Sequence, residues 1–189
     1  MTYTVRPLDA STWDAFAELV ERNGGIFGGC WCMSGHPEAW VPGLDKRAAK
    51  EARVRSGRAH AALVFDSDGV AQGWARYGNL EEQASVGHRR AYEEDPPPVP
   101  DWRIGCFYVD KRHRKQGIAR AALEGALDQI AEAGGGLVES IPEVTAGRSA
   151  QGRFLFSATV ELFEDFGFER VRQVGKHAWI VSRVVDPYS

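Results

Sequence analysis

Arg112, His113, Arg114 and Lys115 stand in a row within "RHRKQGIARAALEGAL", residues 112–127, and the basic run gives way at Gly117 to an alanine-rich helical pattern. Basic side chains at the opening of a helix suit an anion. The first backbone N–H groups of a helix have no internal partner and point out of its end, which carries about half a positive charge. A glycine at that point leaves an anion room for close approach, and Arg114 and Lys115 add charge beside it. Arg114, Lys115, Gln116, Gly117, Ile118 and Ala119 therefore read as a phosphate cradle, best matched by a pyrophosphate. The alternative is a solvated basic helix start. The other common phosphate motifs, Gly-x-x-x-x-Gly-Lys-Ser/Thr and Gly-x-Gly-x-x-Gly after a strand, are absent.

Other reactive side chains have weaker patterns. "CWCMSGH" gathers Cys30, Cys32 and His36, which with Cys106 would number enough ligands for zinc. Cys-x-Cys is tighter than the usual ligand spacing, so no metal is expected. The blander reading is a buried aromatic loop packed with small thiols. Cys106 lies in an apolar strand pattern and is either a small core residue or a nucleophile. Glu139, also in an apolar strand pattern, is either a base or the partner of an arginine. His113 is expected to face solvent. Glu81, Glu82 and the run Glu93 to Asp95 are solvated loop charges or selectors of a cationic ligand.

The elements that must position these residues follow from periodicity. "TYTVRPL" alternates as a strand, and "STWDAFAELVERN" reads as a helix capped by Ser11. A glycine- and aromatic-rich loop precedes "DKRAAKEARVRSG", a polar helix capped by Asp45 and stopped by Gly57. "HAALVF", "DSDG" and "VAQGWARYG" make a hairpin. Residues 79–101 are too proline-rich for regular structure except a short helix near "SVGHRRAYEE". "WRIGCFYV" is the most apolar strand and so the central one. The long helix from Gly117 and the strand "GLVESI" complete a right-handed βαβ unit. "FLFSATVELFEDFGF" reads as a second amphipathic helix, and "ERVRQVG" with "HAWIVSRVV" as a closing hairpin.

Composition bounds the rest. A chain of 189 residues with 43% hydrophobic content suits one domain, taken as residues 1–189. A net charge of −3 argues against a general nucleic-acid binder. No stretch approaches the ~18 apolar residues of a membrane span, and the N-terminus does not read as a signal peptide. Three cysteines cannot all pair within the chain, which suggests a reduced, cytoplasmic protein, monomeric or homodimeric.

"VDKRHRKQGIARAALEGAL" resembles the acetyl-CoA-binding motif of the GNAT superfamily of acyl-CoA-dependent N-acyltransferases. Val109 matches the strand end, and Arg114, Gly117 and Ala119 match the motif. "LFEDFGFERV" resembles the family's usual ending, with Phe163 where tyrosine is common and Phe156-x-x-Thr159 in place of Asn-x-x-Ala. "TVRPL" resembles its usual start. The element order agrees along nearly the whole chain, most specifically over residues 103–170.

The resemblance implies an α/β GNAT-like single domain, with a mixed central sheet, splayed parallel strands and flanking helices. It implies acetyl-CoA as cofactor, with its pantetheine arm along Phe107, Tyr108 and Val109 and its pyrophosphate on Arg114 to Ala119. The activity implied is transfer of an acetyl group to a primary amine by direct attack, with a backbone N–H near Val109 polarising the thioester; Glu139 is the base chosen from the residues themselves, with an arginine partner as its alternative role. In such folds the segment between the first two helices covers the acceptor pocket, which would give Trp31, Cys32 and Trp40 as lining, with Trp74 and Tyr77 as neighbours. A small-molecule amine is the expected acceptor. The alternatives are a protein N-terminus or lysine, and a non-catalytic acyl-CoA sensor.

Overall fold

A computed structural model of the chain describes residues 2–147 and 156–188. The strands are β1 (Thr4–Pro7), β2 (His60–Phe65), β3 (Ala71–Gly78), β4 (Trp102–Val109), β5 (Gly136–Ser140), β6 (Glu169–Gln173) and β7 (Trp179–Val185). The helices are α1 (Trp13–Glu21), α2 (Lys46–Arg55), α3 (Arg89–Glu94), α4 (Ile118–Glu132) and α5 (Val160–Asp165). The strands form one seven-stranded sheet in the order β1-β2-β3-β4-β5-β7-β6. The most apolar strand, β4, is its centre, as the sequence predicts. Every neighbouring pair is antiparallel except β4 and β5. No helix among the described residues is long and apolar enough to cross a membrane.

The two faces of the sheet carry separate cores. α4 covers one face, burying Ile118, Leu123, Leu127 and Ile130 against Ala62, Val64, Tyr77 and Phe107. α1 covers the other, where Trp13, Phe16 and Leu19 pack on Leu63, Trp74 and Cys106. Period-2 alternation in the strands divides the side chains between these cores, with a register shift between Ala75 and Tyr77 in β3.

The helix ends show where local chemistry differs from the sequence reading. Asp45 caps α2 by accepting from Ala48 N at 3.0 Å, and Gly57 follows its end at φ +68°, as expected. Ser11 does not cap α1. Its hydroxyl donates to Asp9 Oδ1 at 2.6 Å, and the residue before the helix is Thr12, whose hydroxyl donates to Pro7 O at 2.7 Å. The last helix is shorter than its apolar pattern suggests. Ala158 adopts φ +61°, Thr159 is extended, and the Thr159 hydroxyl caps the helix by accepting from Leu162 N at 3.1 Å. Phe154 and Leu155, at the start of that pattern, lie outside the described residues.

The pairing of β4 with β5 stops almost where it begins. Only Trp102↔Val138 and Arg103↔Glu139 are in register, and beyond them the strands part. Ser140 Oγ donates to Ile104 O across the opening at 2.8 Å. Further along, Phe107 N donates to Phe156 O at 2.6 Å, so the expected row of free β4 backbone groups is partly occupied. Asp110 N donates to Gln72 O on the β3 side. The alternation of an antiparallel ladder therefore turns Val109 N–H the other way, into the gap.

α4 sits close against β1 because Gly125 lacks a side chain, and a Cβ there would run into Val5 Cγ1. Replacing a helix-interior glycine by alanine ordinarily gains about 1 kcal/mol. Gly125→Ala should instead lower stability by about 1–3 kcal/mol through overpacking, and adding Val5→Ala should recover part of the loss. Urea unfolding measures both, and a raised midpoint for the single variant would contradict this packing.

Candidate active site

The loop that follows β4 is built on a buried carboxylate. Asp110 is fully buried and caps a 3-10 turn over Lys111–His113 by accepting from Arg112 N at 3.0 Å. It also accepts from Arg22 Nε at 3.1 Å, Asn23 Nδ2 at 3.2 Å and Arg112 Nη2 at 3.2 Å. Burial alone would raise this carboxyl. The bonds from Arg112, Asn23 and Arg22 outweigh burial and hold it well below the usual carboxylate range. Arg22, from the end of α1, also reaches Gln72 Oε1 and Ala71 O. One carboxylate thus joins α1, β3 and the loop.

From that base the chain turns into α4. Lys115 at φ +60° and Gly117 at φ +84° lie in the left-handed region, which favours glycine. Space outside Gly117 is open, since a Cβ there would meet nothing within 4 Å. The first helical bond runs from Ala121 N to Gly117 O at 3.0 Å, which leaves the N–H groups of Ile118, Ala119 and Arg120 without helical partners. Ile118 is buried and anchors the turn. Its Cγ2 lies where a Cβ on Gly73 would be only 2.7 Å away. Tyr3 hydroxyl donates to Gln116 O at 3.0 Å and ties the loop to the start of the sheet. Arg114 and Lys115 are exposed, and neither makes an ion pair among the described residues. Helix N–H groups without helical partners and two exposed cations thus stand together at this turn.

A cavity of about 310 Å³ adjoins the cradle. Phe107, Tyr108, Val109, Arg114 and Ala119 line it, together with Phe27, Thr159 and Leu162. Phe27 comes from the glycine-rich loop and meets Tyr108 edge-on at 5.9 Å. A smaller cavity of about 110 Å³ lies where β4 and β5 part, lined by Arg76, Gln83, Arg103, Gly105, Cys106 and Glu139 among others. A wider recess of about 500 Å³ shares Arg76, Cys106 and Phe156 with this cavity and Phe27 with the first.

Glu139 therefore faces the cleft, but it is not a free carboxylate. Its oxygens accept from Tyr92 hydroxyl at 2.9 and 3.2 Å and from Arg103 Nε at 3.0 Å. The arginine partner left open by the sequence is Arg103, which also donates to Gln83 O.

The expected acceptor lining is mostly elsewhere. Trp74 is fully buried, stacked on Tyr108 at 5.0 Å and tilted against Phe16 at 4.9 Å. Tyr77 points to the opposite face, where its hydroxyl donates to Gln129 Oε1 at 2.9 Å. Trp31 packs on Trp13 at 6.2 Å, and Cys32 is buried in the same core. Trp40, Cys30, Phe27 and Phe156 face the recess instead. Most of the acidic residues named above are paired: Glu82 with His60, Glu93 with Arg89, Glu94 with Arg90 and Asp95 with Arg172.

The Cys30–His36 loop has a structural explanation. His36 Nδ1 bonds Glu82 O at 3.0 Å and its Nε2 meets Lys50 Nζ at 3.0 Å. Burial, with Lys50 and Arg76 nearby, pushes this imidazole down to about 2, so it is neutral. Cys32 and Cys106 are buried in one core. Cys106, with Lys50 and Arg76, draws Cys32 down, while Cys32 and burial drive Cys106 up. Among the described residues no group of three or more His, Cys, Asp or Glu is arranged to hold a metal.

The model of the acetyltransferase (GNAT) family matches residues 31–168, and the chain belongs to that family. No protein of curated function matches it in sequence. Its fold is shared by a Corynebacterium glutamicum protein described as histone acetyltransferase HPA2 and related acetyltransferase, at TM-score 0.54 and 18% identity, covering 100% of this chain and 98% of that one. The Escherichia coli ribosomal-protein alanine N-acetyltransferase aligns at TM-score 0.52 and 13% identity over 100% and 97% of the two chains. A mosquito arylalkylamine N-acetyltransferase-like protein aligns at TM-score 0.57 and 13% identity over 97% and 100%.

Asp110→Asn removes the charge that holds the loop, and should cost about 2–3 kcal/mol of stability at pH 7. Because the folded carboxyl titrates below its unfolded value near 4, the stabilisation is complete above about pH 5 and fades as pH falls through the folded value. The gap between wild type and variant, read from urea midpoints, should shrink in acid. A gap that widens below pH 4 would contradict this role.

Proposed function

We propose that the protein transfers an acetyl group from acetyl-CoA to the primary amine of a small molecule, by direct attack of the amine on the thioester. The observation that carries this reading is continuity: a cationic helix start without an ion pair among the described residues, a parted strand edge and a half-open recess adjoin one another. Acetyl-CoA, when bound, supplies an activated acetyl thioester. The N–H groups of Ile118, Ala119 and Arg120, with Arg114 and Lys115, hold its pyrophosphate. Phe107, Tyr108 and Val109 receive the pantetheine arm, and Val109 N–H is placed to polarise the thioester oxygen.

The small-molecule reading rests on the recess walled by Phe27, Trp40 and Phe156, since the neighbours are named for different amine classes. Phe163 is fully buried against Phe107 and Phe168 and supplies no proton. The departing thiolate, with an ordinary thiol pKa of about 8.5, leaves partly ionised or takes a proton from water. Glu139 is our candidate for receiving the ammonium proton, directly or through one water. Its bonds to Arg103 and Tyr92 fix it at the cavity wall.

Gly117→Glu should abolish acetyl-CoA binding in calorimetry, because the new carboxylate repels the phosphates. Gly117→Asn tolerates the left-handed backbone and should keep affinity within about tenfold of wild type by the same measurement. Equal affinity for wild type and the glutamate variant would defeat the cradle. In thiol-release assays with an accepted amine, Glu139→Gln should lower kcat on the order of 10²-fold with acetyl-CoA affinity retained. Full activity would assign Glu139 to holding Arg103 alone.

A further inference from the structure

Two arginines face the cavity where β4 and β5 part, and only one has a counter-ion. Arg103 is committed to Glu139, Tyr92 and Gln83. Arg76 has no carboxylate partner among the described residues, although it is 6% exposed. Its Nη1 end is engaged, donating to Cys32 O at 3.3 Å and Ser34 Oγ at 3.4 Å and lying 4.0 Å from Cys32 Sγ. Its other edge is not. Nε is buried without any acceptor, and Nη2 donates to no described residue.

The free edge is directed by the backbone around it. A Cβ on Gly105 would lie 2.8 Å from Nη2, and a Cβ on Gly35 would lie 2.6 Å from the same atom. Two glycines thus make the slot in which the guanidinium lies, and Gly105 is itself part of the cavity wall. Gln83, 2% exposed and on the same wall, has a buried Nε2 that is likewise unpartnered. Nε and Nη2 are the side-on fork that matches the two oxygens of a carboxylate.

Charge balance points the same way. Lys50, which shares Cys32 O with Arg76, is fully buried and its ammonium pKa is lowered by that burial, whereas the Arg76 guanidinium stays charged and has no carboxylate partner among the described residues. Besides Arg76, the ionisable groups lining the outer recess are Lys46 and the thiols of Cys30 and Cys106, and no Asp or Glu is among its lining. A buried cation without a partner is costly, and a carboxylate on a ligand would supply the missing charge.

The geometry points to Arg76, with Gln83, as the anchor for a carboxylate on the acceptor, so that the acceptor is a small amino carboxylate. This rests on the proposed acetyl transfer for the role of the amine, but the anion site stands on its own geometry.

The test uses matched acceptors: glycine, β-alanine, 6-aminohexanoate and L-phenylalanine, each against its carboxamide, with acetyl-CoA and thiol release as readout. At least one carboxylate should exceed its carboxamide in kcat/KM by tenfold or more. In Arg76→Gln that preference should collapse to near unity, and Arg76→Lys, which keeps the charge and loses the fork, should fall between. Circular dichroism checks that both variants fold. If neither folds, the wild-type ratio decides, and carboxamides equal to or better than carboxylates overturn the proposal.

Calorimetry of the same compounds on CoA-saturated protein separates this inference from the transfer reading. Carboxylates that bind, lose binding in Arg76→Gln and are never acetylated leave the anchor standing and remove the transferase reading. Acetylation indifferent to the carboxylate and to Arg76→Gln removes the anchor and leaves the transferase. Absence of both binding and turnover for every carboxylate overturns the anchor.

Discussion

The site depends on the parting of β4 from β5 after two paired residues. A parallel pair in the middle of a sheet would normally continue and hide its backbone groups. Here it opens in the centre of the seven-stranded sheet, where unpaired N–H and C=O groups are costly. The structure compensates in part, with Ser140 Oγ on Ile104 O and Phe156 O on Phe107 N. What remains is a polar edge inside an apolar cleft, directed at the space where an extended ligand would lie. The cavities, the position of Glu139 and the cradle at the end of β4 all follow from this opening.

Charge placement around the opening separates structure from ligand binding. Asp110 draws in Arg22, Asn23 and Arg112 and fixes the loop. Glu139 draws in Arg103 and fixes the far wall. The cations left over are of two kinds. Arg114 and Lys115 are exposed beside three free helix N–H groups, a setting that suits phosphates. Arg76 is buried beside a small cavity, a setting that suits a single planar anion held by its fork. Arg114 lines one cavity and Arg76 another, and the wider recess shares lining residues with both.

Much of this was legible in the sequence, because periodicity and motif carry it. The order of elements along the chain and the central place of β4 follow from apolar patterning, and the turn of Gly117 into α4 from one glycine at a helix start. The cap of α1 was misplaced because Ser11 and Thr12 compete for the same role and Asp9 captures Ser11. The acceptor wall was misread for a physical reason too. Trp74 and Tyr77 are large aromatics on one strand, but at an odd spacing the alternation of the strand puts them on opposite faces, and both are buried. Arg76 and Gln83 were missed because nothing local marks a buried cation that lacks a partner. That property exists only once Gly35, Gly105 and Cys32 are brought around it.

The central claim is that the parted edge of β4 and the first turn of α4 together bind acetyl-CoA. Amide hydrogen exchange with and without acetyl-CoA tests it at the atoms concerned. The account predicts slowed exchange at Val109 and across Gly117–Arg120 on addition of acetyl-CoA, with little change in β6 and β7. Protection confined to other segments, or no protection at Val109 and the α4 start at saturating acetyl-CoA, would contradict it.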